Sequence, residues 1–137
     1  MSIGFFYIYK GIGCGVYFSN YQAKLPIKTK LTESSKLVTW GRRKHEKGRL
    51  PFGSCVSFSE LHSEVWSAWF PKTVIIPASS FIEQDIEGQS KCFNLTKGKW
   101  VQALLVKSNR ERRVYVVTVR PSIENCMFER WPRILSK

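Results

Sequence analysis

Four cysteines (Cys14, Cys55, Cys92 and Cys126) and two histidines (His45 and His62) are the residues of this chain best suited to nucleophilic or metal chemistry. Their spacing supports neither. There is no CxxC or CxxxC pair, neither histidine completes a zinc-ligand spacing with a cysteine, and neither sits in a recognisable triad with a cysteine or serine. The motifs GxSxG, HExxH, GxxxxGKS/T and GxGxxG are all absent. Gly11-Ile12-Gly13-Cys14-Gly15 makes half of a glycine-rich loop. No helix or phosphate-binding lysine follows it at the required spacing, so the glycines read as a turn. The expectation is a cytoplasmic protein with free thiols, no metal and no cofactor.

Binding chemistry is better represented. Twenty-two Lys and Arg against ten Asp and Glu give a net charge of +12, and Asp85 is the single aspartate. Such an excess concentrates anionic partners at the surface and speeds their association. The cations are clustered. Arg42, Arg43, Lys44, His45, Lys47 and Arg49 crowd a segment bounded by Gly41 and Pro51, which reads as a loop. Lys107, Arg110, Arg112 and Arg113 form a second group, and Arg120, Arg130, Arg133 and Lys137 a third. Trp40, Phe52, Trp66 and Trp69 lie near the first group in sequence. Cations interleaved with aromatic rings suit single-stranded nucleic acid, whose phosphates take the charge and whose unpaired bases stack. The candidate contacts are Trp40, Arg42, Arg43, Lys44, Lys47, Arg49, Arg110, Arg112, Arg113 and Arg130. RNA fits the same contacts as DNA, since nothing here reads a 2′-hydroxyl.

The elements that must hold these residues are mostly strands. A chain of 137 residues that is 43% hydrophobic, with 5 Trp, 5 Tyr and 9 Phe, is long and apolar enough for one folded domain. Phe5–Tyr9, Lys36–Trp40, Thr73–Ile76, Lys99–Val106 and Arg113–Val119 read as strands, the last two as a hairpin across Lys107–Arg112. Ser57–Phe70 places Leu61, Val65 and Trp69 at four-residue spacing, with Ser57 and Ser59 as N-cap candidates, and predicts a helix. A weaker helical turn is expected over Ile123–Phe128. The class is α+β and mainly β. No apolar run is long enough to span a bilayer, so no membrane association is expected. Met1–Phe18, apolar and broken by glycines, reads as strand and turn rather than as a signal peptide.

One stretch goes further than composition. Val74–Gln84 (VIIPASSFIEQ) resembles the "cLIPAdGFYEW" segment of the SOS response-associated peptidase (SRAP) family. Upstream, Lys36–Gly41 (KLVTWG) is similar to that family's "eLvlmrWGLvP" strand, and Trp66–Trp69 (WSAW) falls at its "FrsaW" helix. Downstream, Trp100–Val106 (WVQALLV) stands at "fAGLWe", Val114–Val119 (VYVVTV) at "tiiTt", and Met127–Leu135 (MFERWPRIL) at "iHdRMPviL". Order and spacing agree over roughly residues 36–135.

The resemblance implies a compact, mainly β fold with one or two flanking helices that binds single-stranded DNA in a basic cleft. In that family an N-terminal cysteine captures the aldehyde of an abasic site as a thiazolidine, which needs an α-amino group and a thiol on adjacent carbons. An Asn and Arg of "NARaE", a Glu of "FYEW" and a His of "HdRMP" position the DNA and move protons. Here Glu83 stands at the Glu position, and Arg130 and Pro132 keep the closing Arg and Pro. Phe128 replaces the His, and Gly53–Ser57 (GSCVS) replaces the segment holding the Asn and Arg. The chain starts Met1-Ser2, and a serine hydroxyl forms no stable thiazolidine. Two alignments of the N-terminal region compete. One matches Cys14–Phe18 to the opening "CGRF", which makes Cys14 with Glu83 the catalytic candidates once residues 1–13 are removed. The other, favoured because Cys14 sits too few residues before Trp40–Gly41, matches Phe18–Ile27 to "RYNIAPtqpv". The resulting expectation is a non-catalytic SRAP-like protein that binds single-stranded DNA. The alternatives are a cross-linking enzyme acting through Cys14 and a phage- or mobile-element-type inhibitor that binds a host protein.

Overall fold

Strands dominate the computed structural model, which describes residues 2–29 and 34–136. Met1 and Lys137, both included in the sequence reading, lie outside the described residues. β1 (Ser2–Tyr9) and β2 (Ile12–Tyr17) form a hairpin. It turns at Lys10 and Gly11, whose φ values of 50° and 79° match the right-handed twist of the flanking strands. Of the expected glycine turn, only Gly11 is in it. Gly13 and Gly15 lie in β2, and a Cβ on Gly15 would come 2.7 Å from a ring carbon of Phe6 on the facing strand.

β3 (Lys24–Ile27) and β4 (Lys36–Thr39) pair as a two-stranded antiparallel ribbon. β5 (Cys55–Ser57) leads into a 3₁₀ turn, Phe58–Glu60, and then α1 (Glu64–Ser67). The remaining strands are β6 (Lys72–Ile76), β7 (Ser80–Gln84), β8 (Ser90–Asn94), β9 (Lys99–Ser108), β10 (Glu111–Val119), β11 (Trp131–Pro132) and β12 (Ile134–Ser136). One sheet has the order β2-β1-β7-β8. The larger one runs β11-β10-β9-β12, with β6 also on β9 and β5 also on β10. The β5–β10 pairing is parallel, Cys55 opposite Val116 and Ser57 opposite Thr118.

Each of the five expected strands is present, and β9–β10 is the expected hairpin. The helix expected over Ser57–Phe70 is reduced to the single turn α1. Its supposed apolar stripe is not one, because Val65 is 64% exposed while Leu61 and Trp66 are buried. The turn expected over Ile123–Phe128 is a short 3₁₀ segment, Ile123–Asn125. Among the described residues no helix is long and apolar enough to cross a membrane.

Alternation along β10 explains how the large sheet is buried on both faces. Val114 and Val116 point to one side, with Val74, Ala103, Phe5, Leu25 and Trp40, beneath the four-stranded sheet and the β3–β4 ribbon. Tyr115 and Val117 point to the other, beside Val56 of β5, where Leu50, Leu61 and Trp66 cover them from the segments that flank β5.

Candidate nucleic-acid interface

The first basic cluster is a loop, as expected, but its Arg42 and Arg43 face inward. Glu46 is buried and collects them. Its Oε1 accepts from the Arg43 backbone N–H (3.0 Å), Arg43 Nη1 (3.1 Å) and Arg113 Nη1 (3.2 Å), and its Oε2 from the Gln22 N–H (3.0 Å). Burial alone would raise this carboxyl. Hydrogen bonds from Arg43 and Gln22, with the Arg43 charge, lower it instead to about 2. Arg43 is buried, donates through Nε to Phe18 O (2.7 Å) and lies 4.3 Å over the Phe18 ring. Arg113, also buried, donates to Glu111 Oε2 (2.6 Å) and to Gly41 O (2.8 Å). Arg42 is half-buried, donates to Leu50 O (2.9 Å) and Glu46 O (3.1 Å), and covers the Phe52 ring at 4.2 Å.

Trp40 is corrected outright. Its ring is fully buried between Phe5 and Phe18, edge to face at 5.2 and 5.4 Å, and its Nε1 donates to Ser54 O (3.0 Å). A ring so enclosed presents no face to a base. Gly41 beside it has φ +56°, and a Cβ there would come 2.1 Å from Gly53 O, so the loop closes only around a bare backbone. Lys44, Lys47, Arg49, Arg110 and Arg112 are exposed. Arg130 is half-buried and ties the ends of β5 and β10 together, donating to Thr118 O (2.8 Å), Thr118 Oγ1 (3.2 Å) and Ser57 Oγ (3.0 Å).

Glu83 stands opposite Ser2 in the β1–β7 register, and the Ser2 hydroxyl donates to its Oε1. The carboxyl is fully buried, which pushes its pKa above the ordinary value. Burial likewise raises the nearby Cys55 thiol, with Glu83 adding to the effect and Arg130 opposing it. A thiol held protonated is a poor nucleophile. Cys14 pairs opposite Tyr7, five positions along β1 from Ser2, which is roughly 16 Å at strand rise. The proposed Cys14–Glu83 pair is therefore not brought together. Phe128 is buried in an aromatic cluster, edge to face with Phe93 (5.6 Å) and Trp131 (5.2 Å), and nothing at that position moves a proton. His45 stacks on Tyr21 at the surface, and no group of three or more His, Cys, Asp or Glu that could hold a metal occurs among the described residues.

Three exposed or half-buried lysines that the sequence clusters did not gather, Lys28, Lys36 and Lys72, are brought toward Arg112 by strand pairing. Beside them Phe70 is 71% exposed. Phe70 is the last residue of the expected helix, and its proximity to the cations follows from the β6–β9 pairing, which no local spacing announces. Comparison with protein-family models, with characterised proteins and with solved structures gave no match.

Proposed function

We propose that this chain is a non-catalytic, SRAP-like protein that binds single-stranded DNA by phosphate contacts and base stacking. The observation that carries the reading is the sorting of charge on folding. Among the described residues, fourteen Lys and Arg side chains are exposed against five Glu. Glu46, Glu83 and Asp85 are buried, and Glu111 is tied to Arg113, so the surface is more cationic than the composition. A surface of that kind attracts phosphodiester chains.

The SRAP-like part is supported by the order of the six similar segments and by the mainly β architecture. Loss of chemistry is supported at three places: a hydroxyl at Ser2, a buried Phe128 at the histidine position, and Cys55 in the segment that lacks the Asn and Arg.

Fluorescence anisotropy with a labelled single strand and the matching duplex, titrated over salt, tests the binding. Preference for the single strand with a log–log salt slope of about −3 or steeper, equivalent to roughly four phosphates, is expected. Equal or stronger duplex binding, or none at moderate salt, overturns it. An abasic oligonucleotide run on a denaturing gel should show no covalent adduct. A stable adduct would restore the enzyme reading.

A further inference from the structure

Three neighbouring strands bring their cations to one face of the large sheet. Lys72 on β6 is opposite Leu105 on β9, and Lys107 on β9 is opposite Arg112 on β10. Alternation then sends Lys72, Leu105, Lys107 and Arg112 out on the same side. Further along, Val74, Ala103 and Val114 of that face are buried beneath other strands. Between the β3–β4 ribbon and this face lies a cleft of about 230 Å³, lined by Lys28, Lys36, Lys72 and Arg112 over Leu105. A second cleft of about 400 Å³ shares Lys72, Leu105 and Arg112 and adds Lys107 and Phe70. The shared residues make the two one groove. Its described lining holds five cations and no carboxylate, in contrast to the loop around Glu46.

Phe70 is held at the mouth of the groove. Its backbone is left-handed (φ 51°), and the Lys107 N–H fixes the preceding turn by donating to Trp69 O at 2.9 Å. Lys107 Nζ stands 5.8 Å from the ring centroid. An exposed ring beside a row of cations offers stacking to a base and charge to its phosphates at once. A duplex already stacks its bases internally and leaves that ring unused. Arg112 and Thr118 are six positions apart on β10, about 20 Å at strand rise, so the groove is separate from the contacts that Arg130 makes with Thr118 and Ser57.

We propose that this groove, lined by Lys28, Lys36, Lys72, Lys107 and Arg112, is the seat of a single-stranded nucleic acid backbone, with Phe70 stacking one base. The assignment rests on the single-strand reading above and adds its location. The test uses the full chain and a labelled oligothymidylate of about twenty nucleotides, long enough to cover one such site. Lys72→Ala with Arg112→Ala should weaken binding about ten-fold or more and flatten the salt slope by about 1.4, the share of two phosphates. Phe70→Ala should cost about five-fold or more with the slope unchanged, because stacking releases no counterions. Lys91→Ala with Lys97→Ala removes the same charge elsewhere on the surface and should cost about two-fold or less.

If the groove pair and this control lose affinity equally, the groove assignment falls while the single-strand reading stands. If the parent chain binds no oligothymidylate, both fall. Displacement by polyglutamate as effective as that by unlabelled oligothymidylate would make the groove a general polyanion seat and overturn the proposal. Lys72, Arg112 and Phe70 are exposed, so the parent melting temperature is expected for each variant. Should one fail to fold, Lys28→Ala with Lys36→Ala, expected to weaken binding and flatten the slope in the same sense, decides the matter.

Discussion

Two regions of this molecule are rich in arginine and lysine, and folding uses them in opposite ways. In the loop after Trp40, Arg42 and Arg43 turn inward with Arg113 onto Glu46, Glu111 and backbone carbonyls. In the groove beside β6, Lys72, Lys107 and Arg112 stand outward with no carboxylate in the groove's described lining. The difference is made by two glutamates. A buried carboxylate with several donors gives guanidinium groups a place inside the fold, where their loss of hydration is offset by hydrogen bonds. Without such an acceptor a cation stays in water, available to an outside anion.

The contrast can be broken at its centre. Glu46→Ala leaves Arg43 and Arg113 without their shared acceptor, and removing one partner of a buried ion pair costs about 3–5 kcal/mol. Urea unfolding should register a loss of that size. A change under about 1 kcal/mol would mean that the loop arginines are held by their carbonyl partners alone.

Acid should act on the same point somewhat less strongly. The folded pKa of Glu46 lies at about 2, below its ordinary 4.5, so its contribution is present above 4.5 and is lost as pH falls toward 2. That difference is worth about 3 kcal/mol in the folded protein. Glu46→Gln should be less stable than the parent at neutral pH, with the gap closing across that window. A gap that stays constant from pH 6 to pH 2 would be incompatible with the inward network.

The smallest effect sharpens the comparison. Arg42→Ala with Arg43→Ala is expected to lower stability by about 2 kcal/mol through lost buried and charged hydrogen bonds, while the oligonucleotide salt slope of the folded protein stays as in the parent. A flatter slope would show that these two arginines do reach phosphate.

The strands that were legible in the sequence are those with a clear pattern. Lys36–Trp40 alternates, Thr73–Ile76 is a short apolar run ended by Pro77, and the β9–β10 hairpin has long apolar arms around a polar turn. β5 and β12 are short and β8 is largely exposed, so no local period marks them. The four-residue spacing of Leu61, Val65 and Trp69 was misleading because Leu61 and Trp66 reach the sheet from an irregular path, which a helix would not follow. At the site, the basic clusters could be read as clusters, but not their direction. Whether Arg43 points in or out depends on Glu46 and on Phe18, and Arg113 meets both Glu46 and Glu111 only after the sheet is assembled. Trp40 was a candidate stacking platform from its neighbouring cations alone, and its enclosure depends on Phe5, which is far away in sequence.

The Ser2–Glu83 contact spans 81 positions, and Thr118 reaches Val56 across 62. During synthesis, the β1–β2 hairpin can close on its own residues, yet the other edge of β1 stays open until β7 has emerged. The short β5 waits longer still, for β10. Pairings this distant slow folding and leave apolar strand edges uncovered meanwhile. For this chain the hazardous interval lies between the first hairpin and the last one, and a cell making it quickly would have most to gain from a chaperone at that stage.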